Sequence, residues 1–131
     1  MSAYTNNAIF TRMKTAVLNV ASSAECTQTY NPTPTKFPCV FSREIGRLTP
    51  QGAVTMSNKQ DISETTWEVQ VFSNKKSGAK EEAYKIMAAV KTAFRALYFV
   101  ETFESPIDNT DYYTLIARFR RVLGSGESLP T

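Results

Sequence analysis

The patterning of this chain predicts an α+β domain: a sheet of about four mainly antiparallel strands with two helices packed on it. Three segments carry that prediction. From Thr65 to Ser73 apolar and polar residues alternate, with Trp67, Val69 and Val71 on one side and Thr66, Glu68 and Gln70 on the other. That is the period of a half-buried strand. From Ala79 to Leu97 the residues Ala79, Ala83, Ile86, Met87, Val90, Phe94 and Leu97 recur at helical spacing and form a stripe for the core. From Tyr112 to Leu123 alternation returns: Tyr113, Leu115, Ala117 and Phe119 share one face, and Tyr112, Thr114, Ile116, Arg118 and Arg120 the other.

The other elements follow from caps and breakers. Thr5 to Ala24 reads as the first helix, with Thr5, Asn6 or Asn7 as the capping oxygen and Ile9, Met13, Val17 and Val20 as its apolar stripe. Cys26 to Pro38 reads as an extended connection, because NPTPTKFP cannot continue a helix. Phe37 to Ile45 is a strand with Phe37, Cys39 and Phe41 on one face and Val40 on the other. Residues 46–63 have little periodicity and read as a long loop, or as a loop holding a short strand at AVTMS. SNKKSG (73–78) is a turn; Ser77 is placed to cap the second helix, and Glu81 and Glu82 complement its dipole. Phe99 to Glu104 is a strand, and Ser105 to Asp111 a turn punctuated by Pro106 and Asp108-Asn109. Residues 125–131 are polar and expected to be loose.

The totals fit one domain spanning residues 1–131, with 42 % hydrophobic residues to fill a core. The net charge of +3, from 15 basic and 12 acidic residues, is too mild to imply a nucleic-acid partner by itself. There is no histidine, which removes the commonest general base and the commonest nitrogen ligand for metals. With only Cys26 and Cys39, a four-cysteine or Cys/His zinc site within one chain is excluded. A disulfide between them is open on count, and Cys39 reads otherwise as a small buried hydrophobe. No basic segment leads into an apolar run at MSAYTNNAIF, and no apolar run approaches the ~20 residues that span a bilayer. A soluble protein made in the cytoplasm is expected, with no membrane partner.

No catalytic constellation, metal set or cofactor motif stands out. SNKKSG lacks the phosphate-loop pattern GxxxxGK[ST], so Lys75 and Lys76 read as turn charges. Glu101, Glu104, Asp108 and Asp111 are carboxylates without a companion base, and the chain is not expected to be an enzyme. Arg118, Arg120 and Arg121 form a basic cluster with geometry: the first two share a strand face with Tyr112. Two uses are open, contact with phosphate or nucleic acid and an ion-paired or solvated sheet face.

The stretch WEVQVFSNKKSGAKEEAYKIMAAVKTAF and the ending YYTLIARFRRVLG resemble the tail terminators and tail-completion proteins of long-tailed bacteriophages. The matching positions are Val69, Val71, Ser73, Asn74, Ala79, Ala83 and Met87, then Tyr113, Leu115, Arg118, Phe119 and Arg120. The resemblance implies a structural virion protein at the head-proximal end of the tail. Copies would close into a ring, a hexamer, that caps the tail tube, stops its polymerisation and offers a docking face to the head-side connector. The implied partners are the protein itself, the major tail-tube protein, the connector protein and DNA passing through the ring. Arg118, Arg120 and Arg121 are then expected at a subunit boundary, gripping Glu68, Glu101 or Glu104 of a neighbour, or at the channel. A neck or head-completion adaptor and a small nucleic-acid-binding module are the alternative functions.

Overall fold

Alternation along the central strand sets the position of every other element. The computed structural model describes residues 6–28, 36–48, 62–108 and 112–124. Within them lie α1 (Asn6–Val20), β1 (Glu25–Thr27), β2 (Cys39–Leu48), β3 (Ile62–Ser73), α2 (Ala79–Ala96), β4 (Val100–Asp108) and β5 (Tyr113–Gly124). One sheet runs in the order β1-β2-β3-β5-β4. β1 pairs parallel to β2, and the other neighbours pair antiparallel. β3 and β4 therefore run parallel, with β5 between them and α2 making the crossover, a split β-α-β unit.

The α+β class and both helices are as expected, and the sheet differs from four strands by one. The added strand, β1, lies in the segment read as a connection. Three residues are too few for a sequence period, and the edge of β2 alone recruits them, with Cys26 opposite Val40. α1 ends at Val20 rather than Ala24, and Val20 is exposed. β2 and β3 both run further than their alternation indicates, to Leu48 and from Ile62, so strand pairing takes up both ends of the expected 46–63 loop. A bulge between Glu44 and Gly46 interrupts the period of β2 at Ile45, the end of the expected strand. The short strand suggested at AVTMS lies outside the described residues, as does the 125–131 tail. Ser105 to Asp108 belongs to β4, not to a turn. Pro106 is tolerated there because an edge strand needs donors on one side only.

Both helices cover one face of the sheet. Ile9, Met13 and Val17 of α1 and Ile86, Val90 and Phe94 of α2 pack on Trp67, Val69, Val71, Leu115 and Phe119, all buried. The Phe94 ring stacks on Phe119 at 4.5 Å between centroids and meets Phe99 edge-on at 5.1 Å and Trp67 at 6.1 Å. Nε1 of Trp67 finds no acceptor among the described residues, so that side chain contributes through its apolar body. A smaller cluster of Cys39, Phe41 and Phe72, flanked by Phe37 and Tyr112, occupies the opposite face at one end of β2.

The ends of α2 differ from expectation at one side and complete it at the other. Ser77 does not cap the helix. The N-cap is Gly78 at φ 87, a left-handed position that suits glycine, and Ser73 Oγ donates to Glu82 Oε1 at 2.7 Å across the turn. At the C-terminus Phe99 N–H donates to Phe94 O and Tyr98 N–H to Arg95 O, both at 2.9 Å. These are the two bonds of a Schellman motif, and the Phe94–Phe99 contact is its usual apolar companion. The left-handed residue of the motif is Tyr98, at φ 65, where glycine is the common choice.

Adjacent residues of a strand point to opposite faces. Val40, and with it Cys26, belongs to the helix-covered side, whereas Cys39 lies in the smaller cluster on the other. The disulfide left open by the cysteine count is not formed, and both thiols are free.

Two outcomes are expected. Phe94→Ala removes the ring shared by α2, β3 and β5 and should cost about 3–5 kcal/mol in urea unfolding, against an unchanged midpoint if the stripe faced outward. Burial first, and the charge of Glu25 next, pushes the Cys39 thiol from its ordinary 9.0 up to about 11. The folded state therefore holds this proton more tightly than the unfolded chain. Its stabilising effect is complete below pH 9.0 and is lost as pH rises through about 11. Urea midpoints measured across that range should fall more steeply for wild type than for Cys39→Ala.

Candidate functional site

The sheet face without helices carries the arginines that the last strand alternates outward. Register puts four strands' side chains in one row, Arg43, Glu68, Arg118 and Phe103. Arg118 Nε donates to Glu68 Oε2 at 3.0 Å, and Gln70 Nε2 donates to Glu68 Oε1 at 2.9 Å. Glu68 is only 7 % exposed, so these two donors replace the water it gives up. The Arg118 guanidinium also lies over the Phe103 ring, 5.4 Å from its centroid. Arg120 Nη1 is 3.7 Å from Glu64 Oε1 and leaves half of its side chain exposed.

Arg118 and Arg120 thus share a face, as alternation requires, and Arg121 lies on the other. Arg121 Nη1 donates to Leu97 O at 2.7 Å and its guanidinium covers the Tyr98 ring at 5.2 Å, so it closes the C-terminus of α2. The carboxylates expected to meet a neighbour's arginines are held within the chain. Glu68 is taken by Arg118. Glu101 and Glu104 both hold Lys91 of α2, at 3.3 and 2.6 Å. Residues three apart in a regular strand face opposite ways; the bulge between Glu101 and Phe103 brings both carboxylates to the helix side. Burial lowers the affinity of Lys91 for its proton, but the bonds and charges of Glu104 and Glu101 outweigh it and hold the ammonium above its ordinary range. The sequence did not disclose these pairings, because partner strands are set by register.

Residues that sequence reasoning passed over dominate the β4 side. Eight large apolar side chains are exposed among the described residues, and five of them are Tyr98, Val100, Phe103, Ile107 and Val122. Val100, Phe103 and Ile107 stand opposite Arg120, Arg118 and Thr114 of β5, on the uncovered face. Tyr98 is the most exposed of all, at 66 %. The run ALYFV at 96–100 was the available signal: it holds more large apolar residues in succession than one buried face can take.

At the other end of α2 lies an open cleft of about 580 Å³. Val20 and Ala21 at the end of α1, Pro38, and Ile86 give it apolar surface, while Lys75, Glu81, Glu82 and Lys85 are among its polar lining. Among the described residues no group of three or more His, Cys, Asp or Glu is placed to hold a metal ion, and no helix is long and apolar enough to cross a membrane.

The row through Glu68 predicts a modest pairwise coupling. Arg118 is 47 % exposed along its side chain, so solvent screens the pair. A double-mutant cycle with Arg118→Ala and Glu68→Ala should give about 0.5–1 kcal/mol in thermal or urea unfolding. Strict additivity would show that the contact carries no stability.

Comparison of the chain with protein-family models and with curated protein sequences finds no match, so the function of this surface rests on its own geometry and on the residue patterns above.

Proposed function

We propose that this protein is a structural virion component whose copies close into a ring capping a bacteriophage tail tube. The ring, a hexamer, ends tube polymerisation and presents a docking face to the head-side connector protein, at the head-proximal end of the tail. The work is done by fitted surfaces, with no chemical step, cofactor or metal. The single observation that supports this reading is the set of exposed apolar side chains Val100, Phe103, Ile107 and Val122 on the uncovered face of the sheet. An apolar patch of this kind, edged by arginines, suits a protein interface. The resemblance of Val69–Met87 and Tyr113–Arg120 to tail terminators supplies the kind of assembly. Ring closure needs a head-to-tail interface whose rotation closes.

A nucleic-acid module built on Arg118 and Arg120 is less well supported, because both guanidinium groups already lie beside carboxylates of β3. Salt separates the two readings: binding to nucleic acid weakens steeply as salt rises, whereas apolar ring contacts do not.

Val100→Asp combined with Phe103→Asp tests the patch. Both side chains are substantially exposed, so the fold should stay within about 1 kcal/mol of wild type. Negative-stain microscopy of purified tail tubes mixed with wild type should show capped ends, and the variant should leave the tubes uncapped. Capping by the variant would place the interface elsewhere.

A further inference from the structure

Pairing leaves the charge exposed around the β4–β5 patch with one sign. Arg118 and Arg120 keep 47 % and 52 % of their side-chain surface, whereas Glu68 and Glu64, which they meet, keep 10 % and 22 %. Arg118 gives Nε to Glu68, and its two Nη groups have no acceptor among the described residues. Arg120 meets Glu64 at 3.7 Å, an ion contact without a hydrogen bond. The two arginines stand two residues apart on one face of β5. Register places Phe103 beside Arg118 and Val100 beside Arg120, with Val122 next along β5 and Ile107 further along β4. Two guanidinium groups with donors to spare thus stand within an exposed apolar patch.

We infer that this patch seats an amphipathic helix of another protein, one whose apolar stripe is flanked by carboxylates. The inference rests on the docking role proposed above and names the chemistry of the partner. Charge gives the carboxylates: outward Nη donors match their paired oxygens, and an acid meets two cations here with no exposed anion beside them. The edge of β4 gives the helix. A bulge between Glu101 and Phe103, and Pro106 within the strand, discourage a new strand from pairing there. A segment laid on the face instead receives no backbone bonds from the sheet and must satisfy its own, as a helix does. Val100 and Ile107 lie about 20 Å apart at the rise of a strand. That is the length of about fourteen helical residues.

The helices of a second copy do not supply such a surface. α1 carries Arg12 and Lys14 and no acid, and the exposed residues of α2 include Lys80, Lys85 and Arg95 against Glu81. That layer would repel Arg118 and Arg120. Nucleic acid suits the guanidinium groups but not their surroundings. Bases stack on aromatic faces, whereas Val100, Ile107 and Val122 are aliphatic, and Arg118 already lies over the Phe103 ring.

The test is an NMR titration of the isotope-labelled whole chain with two synthetic helical peptides that share one leucine stripe. One has glutamates beside the stripe and the other lysines. The glutamate peptide should shift the signals of Val100, Phe103, Ile107, Val122 and the two arginines, and the lysine peptide should bind at least about tenfold more weakly. Arg120→Gln breaks no hydrogen bond of the fold, so its melting temperature should match that of wild type and its preference should shrink. With Arg118→Gln added, the two affinities should come within about threefold of each other. Equal binding of the two peptides to wild type, binding of neither, or shifts confined to another surface would overturn the inference. So would a single-stranded thymidine oligomer that binds the patch and displaces the glutamate peptide, which would favour nucleic acid. Capping of tail tubes by wild type decides the ring reading separately. Capped tubes without the peptide preference would remove only the acidic helix, and the preference with uncapped tubes would remove only the ring.

Discussion

The Phe94 ring is the point on which the rest of the structure depends. It lies fully buried between α2 and the β3–β5 seam, stacked on Phe119 and edged by Phe99 and Trp67. Through Phe119 and Trp67 it holds the two central strands under the helix. Through Phe99 it holds the start of β4, and the Schellman bonds at the same place end the helix and turn the chain into the sheet. One aromatic group thus links helix, both central strands and the edge strand. Geometry adds to its buried area, since offset and edge-on ring contacts strengthen apolar burial.

Covering the sheet on one face only has consequences for the other. An antiparallel sheet tolerates water on one face when that face is polar. The centre of the open face meets that condition, with Thr66, Gln70 and Thr114 around the Arg118–Glu68 pair. The β4 side does not, because Val100, Phe103 and Ile107 point to the same face. The two bulges matter here. The one in β4 turns Glu101 and Glu104 together toward Lys91 on the helix side and leaves Phe103 outside, beside Arg118. A single extra residue therefore both anchors the edge strand to α2 and shapes the exposed patch.

The charges of the sheet are paired within the chain. Glu68 sits too deep to be left without donors, and Arg118 and Gln70 supply them. Arg121 serves the helix end. The exposed apolar patch lies beside Arg120 on the open face, whereas the carboxylates Glu68, Glu101 and Glu104 are held within the chain.

Periodicity by itself determined the class of the fold, the positions of α2, β3 and β5, and which of their residues enter the core. These features depend on which face a residue occupies along its own element, and a repeat of two or of 3.6 residues encodes that directly. The same alternation placed Arg118 and Arg120 together and Cys39 opposite Val40. Tertiary structure alone decided what faces what. β1 exists because β2 offers it an edge, and β4 runs on through Pro106 because β5 offers partners as far as Tyr113. Arg118 meets Glu68 fifty positions away through register, and Lys91 meets two carboxylates through a bulge. Tyr98 reads in the sequence as one apolar residue among several. Only the helix-ending turn, set by bonds between Phe94 and Phe99, leaves it outside the core in a strained and exposed conformation. Local pattern specifies an element's faces; the contacts between elements depend on pairing energies summed across the whole fold, which no local repeat records.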